Sequence, residues 1–182
     1  MRPHTTPTRW RFWGNLLGNQ VVWLCAVWGA GHGWQWPALL TAALYLASQL
    51  LTSPRLDTDL RLILMALVSS IGVDGLAAVS GTLQYAASPW GAWPPPWILA
   101  LWASFAMTLT TSLVFLQRHR ALQVGFGLLL APLAYVSAER GFSAIRIAEP
   151  IWHGVVLLGV AWAIALLLLC RVAADRTDPL AR

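Results

Sequence analysis

The sequence predicts an all-α membrane protein, a bundle of six transmembrane helices, and three observations carry that expectation. Of 182 residues, 58% are hydrophobic and only 10% charged, where a soluble domain typically carries about 25% charge. The mean hydropathy is +0.61. The apolar residues fall into six blocks, each close to the ~20 residues that cross ~30 Å of hydrocarbon as a helix. Six such spans with short connections fill residues 1–182, leaving no room for a soluble domain.

The first span covers about 12–30 and the second 36–53. The third covers 60–81, the fourth 97–117, the fifth 121–138 and the sixth 150–170. Helix is expected because every backbone polar group in lipid must be satisfied within the chain. No span shows the polar/apolar alternation of a membrane barrel strand. The first span has a basic start like a signal peptide. Asn15, Asn19 and Gln20 interrupt its apolar region, however, and Trp13, Trp23 and Trp28 are bulky, so a retained helix is expected.

Charge orients the spans. All 12 basic residues are arginine. Ten fall on one side: Arg2, Arg9 and Arg11, then Arg55 and Arg61, the turn Arg118-His119-Arg120, and Arg171, Arg176 and Arg182. Only Arg140 and Arg146 fall on the other. Arginine-rich loops stay cytoplasmic, so both termini are expected on the cytoplasmic side of the membrane. The pI is about 10.2, but the arginines form no stripe suited to nucleic acid. Membrane lipid is the expected partner, and nucleic acid is excluded. On the far side lie two aromatic turns, His32–Pro37 and the proline-rich Trp90–Trp97. Trp favours the headgroup zone, so the second is expected to anchor at the surface or cover the bundle mouth.

Asp74 is the feature that stands out. A carboxylate at membrane depth costs at least ~2.5–3.5 kcal/mol on insertion scales and usually faces a bundle interior or wet cavity. It lies roughly 21 Å from Leu60 along the helix, on a face with Ser70, Ala77, Ala78 and Gly81. Small residues allow close helix approach, so Asp74 is expected to point inward. It is the first candidate acid/base, with Tyr135 and His32 as assisting groups. The candidate ligand-binding set is Asp74, Asn19, Gln20, Trp23, Thr108, Tyr135 and Glu139. A cluster of Asp74, His32, Tyr135, Glu139, Arg140 and His153 at the outer mouth is one arrangement the spans allow; each alone is also an ordinary interfacial side chain.

Other polar residues have plainer readings. Asn15 and Asn19 share a helix face and suit interhelical hydrogen bonds, in the half of the bundle away from Asp74. Ser104, Thr108, Thr111 and Ser112 suit bonds to their own helix carbonyls, with a cavity lining as the alternative. Pro132 should kink the fifth span. Cys25 and Cys170 are packing residues. HExxH, CxxC, P-loop and GxGxxG patterns are absent, so neither a metal nor a cofactor is expected.

Several short segments also resemble one family in the right order. These are Asn15-Leu-Leu-Gly-Asn-Gln20-Val-Val-Trp23 followed by Gly29-Ala30-Gly31, then Gly72-Val73-Asp74. They continue with Leu101-Trp102-Ala103-Ser104-Phe105-Ala106-Met107-Thr108-Leu109 with Ser112-Leu113, and Ala131-Pro132-Leu133-Ala134-Tyr135. The chain thereby resembles the small bacterial inner-membrane proteins grouped as domain of unknown function 2878, from about Asn15 to the sixth helix. Thr111 and Ala131 stand where that family more often has Asn and Gly. The resemblance implies a polytopic membrane protein and brings no established reaction. Three functions stay open. The first is a non-enzymatic protein binding a lipid or apolar small molecule within the bundle, with Asp74 as polar anchor. The second is a lipid-modifying enzyme using Asp74, and the third is a small transporter.

Overall fold

A computed structural model describes residues 9–91 and 93–174. Arg2, Ala92, Arg176 and Arg182 lie outside these residues. The described chain is all-helical apart from one short ribbon. Its helices are α1 (Arg9–Gly31), α2 (Trp36–Leu51), α3 (Leu56–Val79), α4 (Pro96–Ala106), α5 (Arg120–Phe142) and α6 (Ile151–Ala174). Strands β1 (Leu83–Tyr85) and β2 (Ile145–Ile147) pair antiparallel, with Gln84 opposite Arg146.

Local chemistry sets the helix starts. Prolines occupy the first turns of α2 and α4, where a missing N–H costs nothing. Asp57 and Asp59 lie in the first turn of α3, favourable for the helix dipole. Ser143, at φ 53°, ends α5 in the left-handed region.

Three helices are long and apolar enough to cross a membrane: α3 with 24 residues, α5 with 23 and α6 with 24. α1 also has 23 residues, but Asn15, Asn19, Gln20 and its two arginines make it less apolar. α2 has 16 residues, and α4 only 11. The fourth expected span, 97–117, is therefore not one helix. It ends at Ala106, passes through turns at 107–113 and resumes as a 3₁₀ turn, Val114–Arg118. The hydroxyl-rich run Thr108, Thr110, Thr111 and Ser112 explains the break, because such side chains compete for backbone partners.

Two further irregularities sit within long helices. A π-helical turn occupies Ile71–Gly75 of α3 and another Phe126–Leu130 of α5. The second directly precedes Pro132, so the disturbance expected at that proline takes the form of a widened turn. Packing centres on α4, which contacts α1, α2 and α3, while α6 lies against α3 and α5. Glycines set the closest approach: a Cβ on Gly127 would stand 2.3 Å from the Ala163 backbone nitrogen.

The two ends of the bundle differ. At the ribbon end, Leu83, Ile145 and Ile147 are buried, and Trp97 Nε1 donates to the Ala86 carbonyl at 3.0 Å. Trp97 thus turns inward from the proline-rich connection, while Trp90 and Trp93 stay exposed. Along the helices, Leu64, Val68, Ile71, Leu76 and Val79 of α3 and Leu129 and Leu133 of α5 face outward, as lipid-facing side chains would.

Candidate functional site

Asp74 lies in the π-helical turn of α3 and is fully buried. Its side chain points into the bundle, as its small-residue face predicts. Tyr85 Oη from β1 donates to Oδ1 at 2.7 Å. Tyr135 Oη from α5 donates to the same oxygen at 2.5 Å. Trp102 Nε1 from α4 donates to Oδ2 at 2.6 Å. Ser70, one turn back on α3, lies at 3.4 Å from Oδ2. A carboxylate accepts about four such bonds, so its acceptor capacity is filled.

The network extends one layer further. Trp162 Nε1 of α6 donates to Tyr135 Oη at 3.3 Å, and its ring stacks on Trp102 with centroids 4.0 Å apart. One carboxylate therefore gathers α3, α4, α5 and the ribbon directly, and α6 through Tyr135 and the indole stack. The widened turn at 71–75 and its small neighbours bring the short Asp side chain within reach of these long aromatic donors.

Tyr85 is half-buried; its hydroxyl holds Asp74, and the residue also borders an open cleft of about 420 Å³ with Gln84, Glu139, Ser143 and Arg146. Burial, reinforced by the Asp74 charge, holds the Tyr85 phenol well above its ordinary range, so it remains a donor. Ala87 and Ser143, both non-glycine residues at positive φ, flank the ribbon.

The other sequence candidates lie elsewhere. His32 is exposed, with Nδ1 2.8 Å from the Trp28 carbonyl. Glu139 accepts the Ile147 backbone N–H at 2.8 Å and so fastens β2. His153 and Arg140 are exposed, His153 against the Trp152 ring. Of the six residues of the outer-mouth cluster, only Asp74 and Tyr135 bond each other. Trp23 packs edge-on against Phe142. Asn19 is half-buried and Gln20 exposed, and neither makes a side-chain hydrogen bond among the described residues. Thr108 Oγ1, in the turn just past α4, donates to the Phe105 carbonyl at 2.6 Å.

A second polar centre supports the broken α4. Asn15 is fully buried. Its Nδ2 faces Tyr45 Oη at 2.9 Å, Gln49 Oε1 at 2.9 Å and the Met107 carbonyl at 3.1 Å. Its Oδ1 accepts from Ser112 N at 3.2 Å and Ser112 Oγ at 2.6 Å. One amide thus replaces helix bonds missing across 107–112. Gln117 and Gln123 donate to the Leu109 and Leu116 carbonyls at 2.7 and 2.6 Å. Asp59, also buried, accepts from Ser53 Oγ at 2.5 Å and Thr110 Oγ1 at 2.9 Å.

Sequence reasoning missed Tyr85, Trp102, Trp162 and Asp59. Nothing local marks the first three; the fold brings them to Asp74. The pairing of Asp59 with Thr110 follows from the break in α4, which the hydroxyl-rich run there permits but does not require. No group of His, Cys, Asp and Glu among the described residues could hold a metal.

The family model for "Protein of unknown function (DUF2878)" matches residues 12–168. No curated protein and no solved structure matches the chain. The chain belongs to the DUF2878 family, and the match runs from α1 well into α6.

Proposed function

We propose that this member of the family is a six-span protein of the bacterial inner membrane with both termini cytoplasmic. Its role is non-enzymatic and accessory, and lipid or an apolar small molecule is its partner. The Trp girdles support six crossings. Trp10 and Trp28 are exposed at opposite ends of α1, roughly 27 Å apart along a helix, close to the ~30 Å hydrocarbon thickness. Exposed Trp34, Trp36, Trp90, Trp93 and Trp152 continue the girdle at the ribbon end, which then faces outward. The broken α4 contributes a crossing through its helix, turns and 3₁₀ segment together, its backbone satisfied by protein groups as non-helical chain at membrane depth requires.

One observation carries the non-enzymatic role: Asp74 is fully enclosed and both its oxygens are already occupied. A general base needs hydrogen-bond access to its substrate, and a polar anchor needs a free acceptor. Asp74 offers neither, so it acts as the tie of the bundle. Ligand contact then falls to the apolar faces and the Trp-lined ends.

Enzyme and accessory roles separate in cells. Lipid extracts from cells lacking the protein are compared with extracts from cells carrying Asp74→Asn at matched protein level. A substrate lipid accumulating equally in both identifies an enzyme and overturns the proposal. An unchanged profile in the Asn variant supports it.

A transporter is the second reading, favoured by the interruption at 107–113. Discontinuous helices form midplane sites in transporters. Here, however, Asn15 already occupies the freed Met107 and Ser112 backbone groups, which supports the accessory reading over the transporter.

A further inference from the structure

We propose that the exposed face of α1 pairs with α1 of a second copy of this chain, joined by the amides of the two Gln20 side chains. This pairing rests on α1 crossing the membrane, as in the six-span bundle proposed above. Gln20 lies midway along Arg9–Gly31, roughly 16 Å from either end, and so at the centre of the hydrocarbon. The residue is exposed and makes no side-chain hydrogen bond among the described residues. An amide left unbonded in lipid is costly.

Hydroxyl side chains elsewhere on the helices meet this cost within their own helix. Thr41 donates to the Pro37 carbonyl at 2.6 Å, Ser69 to Met65 at 2.8 Å and Ser137 to Leu133 at 2.7 Å. Asn15, almost opposite Gln20 around α1, is bonded inside the bundle. Gln20 points away from that interior, so its partner comes from outside this chain.

The surroundings of Gln20 select a second copy. Trp13, Leu17 and Leu24 are exposed with it, and the four residues follow one another at intervals of 4, 3 and 4. That is the seam spacing of a left-handed helix pair, the commoner hand in membrane bundles. A lone polar residue in such a seam fixes register and partner number. Copies of one chain insert in the same orientation, so a two-fold axis along the membrane normal sets both Gln20 side chains at one depth. Each amide has a carbonyl acceptor and two N–H donors, so the two bond reciprocally. Lipid tails offer neither group. Arg9, one turn before Trp13, is exposed at the polar end, where its long side chain reaches headgroups.

The test uses the full chain with Cys25 and Cys170 replaced by Ala, labelled on His119→Cys and reconstituted in phosphatidylcholine vesicles. Energy transfer between copies should rise with the protein-to-lipid ratio and saturate as a dimer. Gln20→Leu should weaken pairing at least fivefold, and Gln20→Asn, which keeps an amide, should weaken it less. Gln20 bonds nothing within the chain, so both variants should fold. In native membranes, oxidation should join Leu24→Cys into a covalent dimer and leave Leu64→Cys, exposed on α3, as monomer. A monomer at every ratio overturns the proposal, as does a Gln20→Leu variant that pairs like the wild type. So does cross-linking through Leu64→Cys alone, or a Leu24→Cys product whose mass is not twice that of the chain. Val21→Cys, beside the seam, separates these failures from failure of the crossing. In opened cells it should resist a membrane-impermeant thiol reagent. Reaction there would take α1 out of the hydrocarbon, and the pairing with it.

Discussion

Tyr135 donates its phenolic hydrogen to Asp74 at 2.5 Å, joining two residues 61 positions apart. Each belongs to a helix interrupted by a π-helical turn, at Ile71–Gly75 and Phe126–Leu130. Such turns recur at functional sites, and here both interrupted helices contribute to one carboxylate. Tyr135→Phe keeps the ring and removes the hydroxyl, leaving Trp162 Nε1 without its acceptor. A loss of about 1–3 kcal/mol is expected for the unmet groups. Reversible unfolding in detergent measures it, and an unchanged midpoint would show that the bond adds nothing.

The Asn15 amide makes more of the bonds across the break after α4 than any other described side chain, with Gln117 on the Leu109 carbonyl beside it. Asn15→Leu should cost about 2–4 kcal/mol, because it strands the Met107 carbonyl and the Ser112 N–H in a dry interior. Asn15→Asp retains an acceptor for Ser112 and loses both donors, so it should also destabilise. Backbone hydrogen exchange across 107–113 should accelerate in both variants. Exchange that stays at the wild-type rate there would mean the turn holds itself.

Helix contact between α5 and α6 is set by Gly127. Gly127→Ala drives a methyl group into the Ala163 backbone, 2.3 Å from its nitrogen, and should abolish accumulation of folded protein. Gly125→Ala, two residues away, meets nothing within 4 Å. It should match the wild type or gain a few tenths of a kcal/mol, since alanine is the better helix former. Size-exclusion yield from detergent extracts distinguishes the two.

Six crossings make an orientation prediction. With Cys25 and Cys170 replaced by Ala, a cysteine at His119 should react with a membrane-impermeant thiol reagent only after the cells are opened. A cysteine at Trp34 should react in intact cells. Both positions reacting from the same side would remove at least one crossing from the scheme.

The main lines of this molecule are legible in its sequence because hydropathy and helix length are local properties. The inward direction of Asp74 follows from its small-residue face, and Asn15 is identifiable as an interhelical tie from its position on an apolar helix. The partners of Asp74 are not legible. Tyr85, Trp102 and Trp162 reach it through a ribbon and helix contacts set by distant glycines, and a tryptophan gives no local sign of which way its N–H will point. The end of α4 at Ala106 is not legible because Ser and Thr also sit within membrane helices by bonding their own carbonyls, so the hydroxyl run at 108–112 does not by itself announce a break. Buried amides, Asn15 above all and Gln117 beside it, make unwound backbone tolerable there. His32 shows the reverse error: it shares an end of the bundle with Asp74, yet its ring is taken up by the Trp28 carbonyl and the indoles of Trp28 and Trp34.

The central claim is that one enclosed carboxylate ties the bundle together. Thermal unfolding of Asp74→Ala beside Leu76→Ala, two positions along the same helix and 71% exposed, tests it most directly. Removing Asp74 orphans Tyr85, Tyr135 and Trp102 together, so a loss of at least about 3 kcal/mol is expected, with Leu76→Ala near wild type. Equal, small effects in the two variants would contradict the claim.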